Sequence, residues 1–228
     1  MKAGLRHLRG ELLAHLPFSI FSTVGGMVLV AILTFLGKPF YGEDLPDAFR
    51  ELFHVFHPVH MLFSATATTA MFWQYERRWL KALLVGLSGA IVVCGASDIL
   101  LPHLSGLMLG VDMHFHLCII EHPGLVLPFA FAGVATGFLA SGHIVRATVF
   151  SHTVHVLISS AASLLYLVSF GLTDWIHHAG YVFIFVVLAV MLPCCFSDIV
   201  WPLLVVTKEG GPHPTPHHHP GDTGDADG

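Results

Sequence analysis

Charged residues are scarce in this chain. Only 10 Lys+Arg and 15 Asp+Glu occur in 228 residues, a charged share of 11% where soluble domains carry about a quarter. So few charges do not cover the surface of a water-soluble domain of this length. The small net charge of −5 says nothing of nucleic acid, but no basic patch with interleaved aromatics occurs, so no nucleic-acid partner is expected. Cysteine is equally sparse: Cys94, Cys118, Cys194 and Cys195, three of them inside apolar segments, which excludes a secreted disulfide framework. No Cys-x-x-Cys-His haem-attachment motif, phosphate-binding loop or nucleophile elbow is present. The alternating pattern of a membrane β-barrel is missing too.

Apolar residues make up 54% of the chain and the mean hydropathy is +0.74. Runs near 20 residues long match the thickness of a bilayer. The expected fold is an all-α integral membrane protein with six transmembrane helices, at about 16–36, 53–73, 80–101, 118–140, 149–170 and 181–206. Helices are required because backbone groups in hydrocarbon must be satisfied within each segment. Lys2, Arg6, Arg9, Arg77, Arg78, Lys81, Arg146 and Lys208 flank one side of these spans, and Lys38 and Arg50 the other. The positive-inside rule then puts both termini in the cytoplasm of a plasma (inner) membrane protein. The basic start followed by a long apolar stretch lacks a small-residue cleavage site, so the first helix is expected to remain in the mature chain.

Histidine, at 18 residues, is the compositional excess, and it is organised. His57-Pro-Val-His60 precedes Cys94-Gly-Ala-Ser97-Asp98-Ile99 and Pro102. His152-Thr-Val-His155 precedes Cys194-Cys-Phe-Ser197-Asp198-Ile199 and Pro202. The match extends to Ser64 with Ser159 and Thr68 with Ser163, and more weakly to His15 with His122 and Gly26 with Gly133. Residues 1–106 and 114–207 thus read as two three-helix repeats, followed by a disordered His/Pro/Gly-rich cytoplasmic tail at 208–228. Three spans per repeat force the halves into opposite orientations, giving a 3+3 inverted-topology repeat, a plan found in many secondary transporters.

Two histidines three apart share one helix face. With helix 2 beginning near residue 53, His57, His60, Asp98 and His122 are expected near the outer membrane face. His152, His155, Asp198 and His15 are expected near the inner one, on the order of 15–20 Å away by helix rise. A single histidine near a helix end is explained by its polar tip reaching the headgroups. Intramembrane aspartates beside paired imidazoles, twice over, are not so easily explained and point to ions or protons. Three nitrogens and a carboxylate suit Zn²⁺ first, and also Fe²⁺, Mn²⁺, Co²⁺ or Ni²⁺. Cys94 and Cys194 read as packing residues, with ligation as the alternative. Whether Glu121 is a ligand stays open. Ser64 and Thr68 on one helix, and Ser159, Ser163 and Tyr166 on its counterpart, read equally as close-packing residues or as a polar track.

The expected function is transport of a divalent transition-metal ion, with protons as a coupling ion, since protons and metal compete for the same imidazoles. One alternative is a di-haem b-type electron carrier using His60 with His122 and His155 with His15. Another is a metal-dependent membrane enzyme, a zinc or diiron variant with one active set. The partners are the lipid bilayer and metal ions; an oligomer is compatible with all of this.

Overall fold

A computed structural model describes residues 2–140, 148–196 and 201–206. Asp198, the tail at 208–228 and the side chains of His15 and His152 lie outside the described residues. Every regular element among those described is helical. Helix α1 is Lys2–Tyr41 and α2 is Leu45–Tyr75, joined by the 3₁₀ turn Gly42–Asp44. Gly42 sits at φ +54°, a left-handed conformation that glycine adopts without a steric penalty, and this ends α1. Pro46 in the first turn of α2 costs no hydrogen bond there. Helices α3 (Trp79–Ser88) and α4 (Leu101–Met108) form one rod through the π-helical turns Gly89–Cys94 and Ala96–Leu100. There follow α5 (Cys118–Glu121), α6 (Pro123–Ala140), α7 (Thr148–Ser169), α8 (Ala179–Cys195) and α9 (Trp201–Val205).

Three stretches, Leu16–Tyr75, Trp79–Met108 and Pro123–Ala140, are long and apolar enough to cross a membrane; Thr153–Ser169 and Ala179–Pro193 are shorter apolar helices. Phe21, Val28, Phe35 and Phe40 of α1 and Leu139 of α6 are exposed. Such a surface suits hydrocarbon and is unsuited to water.

Helix α2 is the centre of the molecule, packing chiefly on α6 and α7. His60 meets His155, while Phe53 meets Tyr166 and Phe170, so α2 and α7 run antiparallel. The approach of α6 to α2 is close because Gly133 has no side chain. A Cβ there would lie 2.4 Å from the Leu62 carbonyl oxygen and 2.8 Å from the Ala65 Cβ. The Thr66 hydroxyl donates to the Gly133 carbonyl at 3.0 Å across this contact. Gly26 of α1 approaches α7 similarly, with Ser160 and Ala161 3.4 Å from a Cβ built on it. Gly133→Val is expected to lower stability by about 1–3 kcal/mol, the usual penalty of overpacking, or more, because backbone is the obstacle. Thermal unfolding in detergent measures this, and an unchanged midpoint would contradict the close contact.

One expectation changes in physical terms. Helix α2 begins at Leu45 rather than near 53, so His60 lies 15 residues along a 31-residue helix, about 22 Å from its start. The polar first turns, Leu45-Pro-Asp-Ala-Phe-Arg50-Glu51, escape hydropathy yet fold as helix. His57 and His60 therefore sit in the middle of α2, not at its end.

Candidate metal centre and a buried histidine chain

Successive histidines at 54, 57 and 60 occupy one face of α2 and divide between two environments. At the α2 N-terminal end, His54 meets His116 from the segment before α5 and His122 from the α5–α6 junction. One ligand nitrogen of each lies within 4.8 Å of the others. His54 Nε2 is 3.1 Å from His116 Nε2, and the His54 and His122 rings are 4.8 Å apart. His116 Nδ1–H donates to Glu121 Oε2 at 2.9 Å, and the Leu117 N–H donates to Glu121 Oε1 at 3.1 Å. Glu121 thus directs His116 Nε2 at the other two rings, as carboxylates outside the coordination sphere of metal sites do. Burial pushes the His116 imidazole below its ordinary value, with Glu121 pulling the other way. Its nitrogen therefore stays available to a metal near neutral pH. Cys118 Sγ lies 3.4 Å from His116 Nε2.

This trio lines a cavity of about 520 Å³, together with Arg50, His114 and Phe170. His116 is buried, His54 half-buried and His122 exposed, so the set spans from interior to opening. Nitrogens around a tetrahedral zinc at 2.0–2.1 Å are about 3.4 Å apart, and three of them leave one position open. The three ligand atoms, within 4.8 Å of one another, are at most about 1.4 Å wider than that spacing.

Deeper in the bundle, Asp98 is the hub of a second group, aimed inward by the π-helical turns that carry Cys94 and Asp98. Its Oδ2 accepts from His57 Nδ1–H at 2.9 Å and His60 Nδ1–H at 2.7 Å. Its Oδ1 accepts from the Ser97 and Ser159 hydroxyls at 2.8 and 3.1 Å. Four donors occupy all the lone-pair positions of the carboxylate. Because an ionised carboxylate only accepts, both imidazoles are assigned as Nδ1–H tautomers. His60 Nε2 then faces His155 Nε2 at 2.9 Å, with Cys94 Sγ 3.8 Å from His60 Nε2. Exposure is 0% at Asp98 and 1–3% at His60, His57 and His155.

The structure therefore joins His57, His60 and Asp98 with His155 from the other half of the chain. His60 Nε2 and His155 Nε2 are 2.9 Å apart, so the expected separation of 15–20 Å does not hold for these two residues. His122 is not with His57 and His60; it belongs to the His54 and His116 trio. His60 faces His155, and His122 is grouped with His54 and His116; His15 and His152 have no described side chain. Ser163 donates to the carbonyls of Ser97 and Ser159 at 3.0 and 2.9 Å, and the His116 N–H donates to the Tyr166 hydroxyl at 3.1 Å, so these polar residues tie α7 to both groups.

His54 and His116 are absent from the motif-based set. The position matching His54 in the second half is Val149, so a search for duplicated residues passes over it. The local signal is nonetheless present, since His54 is one turn before His57 on the same face. Comparison with protein-family models, curated proteins and solved structures finds no match.

Proposed function

We propose that this protein is a membrane transporter for a divalent transition-metal ion, with Zn²⁺ the first candidate substrate. The carrying observation is the convergence of His54, His116 and His122 at an open cavity, in a chain whose helices are membrane-long and apolar. The trio is the loading site at one end of the bundle. The Phe53 ring touches both His116 and His57 and closes the way inward. Fe²⁺, Mn²⁺, Co²⁺ and Ni²⁺ suit imidazole donors as well.

On this reading the chain crosses a plasma (inner) membrane six times as a 3+3 inverted repeat, with both termini cytoplasmic. A twofold axis in the membrane plane brings equivalent residues near it face to face. Two sets of contacts support it. His60 touches His155, its counterpart at an offset of 95 residues. Gly133 packs against Ala65, and its counterpart Gly26 packs against Ser160, the counterpart of Ala65.

Purified protein reconstituted with an internal zinc indicator is expected to admit Zn²⁺, and His54→Ala or His122→Ala to slow entry at least about tenfold. Wild-type vesicles that admit no metal, or variants as fast as wild type, reject this reading. One observation favours a second reading as a metal-dependent enzyme: three imidazoles with an open fourth position can activate water. Zinc-dependent hydrolysis of an activated ester, lost in His116→Ala, would support it.

A further inference from the structure

The cavity that holds the trio is much larger than a bare metal ion needs. Its volume of about 520 Å³ compares with about 30 Å³ for one water molecule. It also contains a fixed positive charge, which works against a site for a cation alone, since like charges repel. That charge is Arg50, which lines the cavity one helical turn before His54 on the same face of α2. The guanidinium carbon lies 5.9 Å from the centre of the Phe170 ring, and the His116 ring stacks on that same phenylalanine at 4.9 Å. Phe170 thus holds the guanidinium beside the trio.

The hydrogen bonds around Arg50 leave it incomplete. Glu121, the one acidic residue among the described lining residues, gives its oxygens to His116 Nδ1–H and the Leu117 N–H. Arg50 Nη2 donates to the carboxylate of Asp47, an exposed residue that does not line the cavity. Arg50 Nε is buried and has no acceptor. A buried N–H without a partner is costly, and native structures contain few of them. A metal held by three imidazoles has an open position in the same cavity.

We propose that Arg50 and the trio together bind a small oxyanion, a phosphate, carbonate or carboxylate group, with one oxygen on the metal and another on the guanidinium. Guanidinium presents its N–H groups in a planar fork that matches the oxygens of such anions. A metal–oxygen bond, the width of the anion and a charge-assisted hydrogen bond together span about 7 Å. The anion offsets the charge that a divalent ion brings among neutral imidazoles, and it supplies the acceptor that Arg50 lacks. Metal and anion then favour each other's binding, and by equal factors. The site rests on the trio holding a metal; within the transporter reading, the cargo is a metal–oxyanion pair rather than a bare cation.

The test loads the full chain, in neutral detergent, with Co²⁺, whose visible absorption reports its ligands, and titrates it with inorganic phosphate. Wild type is expected to show a saturable spectral change, and to bind Co²⁺ at least about fivefold tighter with phosphate present. Arg50→Gln should lose at least about tenfold in phosphate affinity, and with it the gain in metal affinity. Arg50→Lys keeps the charge but not the fork, and should recover part of both. A second arm replaces free phosphate with phosphatidylglycerol in mixed micelles, so a response there alone identifies the oxyanion as a lipid headgroup. A spectrum indifferent to both sources, or equal responses in wild type and Arg50→Gln, overturns the site. Failure of wild type to bind Co²⁺ rejects the metal centre and the anion site with it. A phosphate response lost in Arg50→Gln, in a protein whose vesicles admit no zinc, supports the anion site and sinks the transporter reading instead.

Discussion

Asp98→Ala is expected to lower the thermal midpoint of the detergent-solubilised protein further than any other substitution in the buried histidine group. The carboxylate accepts from two imidazoles and two hydroxyls, all buried. Removing it takes the shared acceptor from two imidazole N–H groups and two hydroxyls, of which Ser97 keeps the Cys94 carbonyl at 3.2 Å, and each buried group left unsatisfied costs about 1–3 kcal/mol. Their sum rivals the 5–15 kcal/mol, roughly, that holds a typical domain together. Asn is nearly isosteric but turns its amide N–H₂ toward one pair of donors, so Asp98→Asn should recover only part of the loss. Ser159→Ala removes one donor and leaves Asp98 with three, so it should cost about 1 kcal/mol. A midpoint for Asp98→Ala within a few degrees of wild type would show that Asp98 is not the hub described.

The second large effect concerns metal. Titration of purified protein with Zn²⁺ is expected to find one tight site, weakened at least about 100-fold by His116→Ala. Glu121→Gln touches no ligand atom directed at the metal, yet should weaken binding by about 10–100-fold, because it no longer fixes the His116 ring. His57→Ala should leave affinity nearly unchanged. Affinity must fall on acidification, by about tenfold per pH unit for each imidazole proton that metal displaces. The sign follows from competition: a protonated ring is no ligand. For His116 the loss sets in below the usual imidazole range, because burial holds that ring below its ordinary value. Equal affinity at pH 7.5 and 5.5 would place the metal on other donors.

The two groups differ in how openly the sequence carries them. Asp98 with His57 and His60 is legible because each is an expensive residue in an apolar segment, and because the motif recurs. The trio is not legible that way. His116 precedes α5 and His122 follows it, so only the folding of this connection against α2 brings them to His54. Hydropathy marks the apolar part of α2 from about residue 53, whereas the helix itself begins at Leu45 because its polar first turns also fold as helix. Asp198 with His152 and His15, the mirror-image set, falls outside the described residues.

Composition and local pattern determined that this is a helical, membrane-compatible chain, and which costly residues its interior must accommodate, because charge scarcity and 3.6-residue periodicity act within single segments. Which imidazole meets which was decided only by the packing. The missing side chain at Gly133 sets how near α6 comes to α2. The antiparallel crossing of α2 and α7 sets His60 against His155, and the π-helical turns aim Asp98 at both histidines of α2. These are contacts between residues 38–95 positions apart, and no local rule of sequence spacing encodes them.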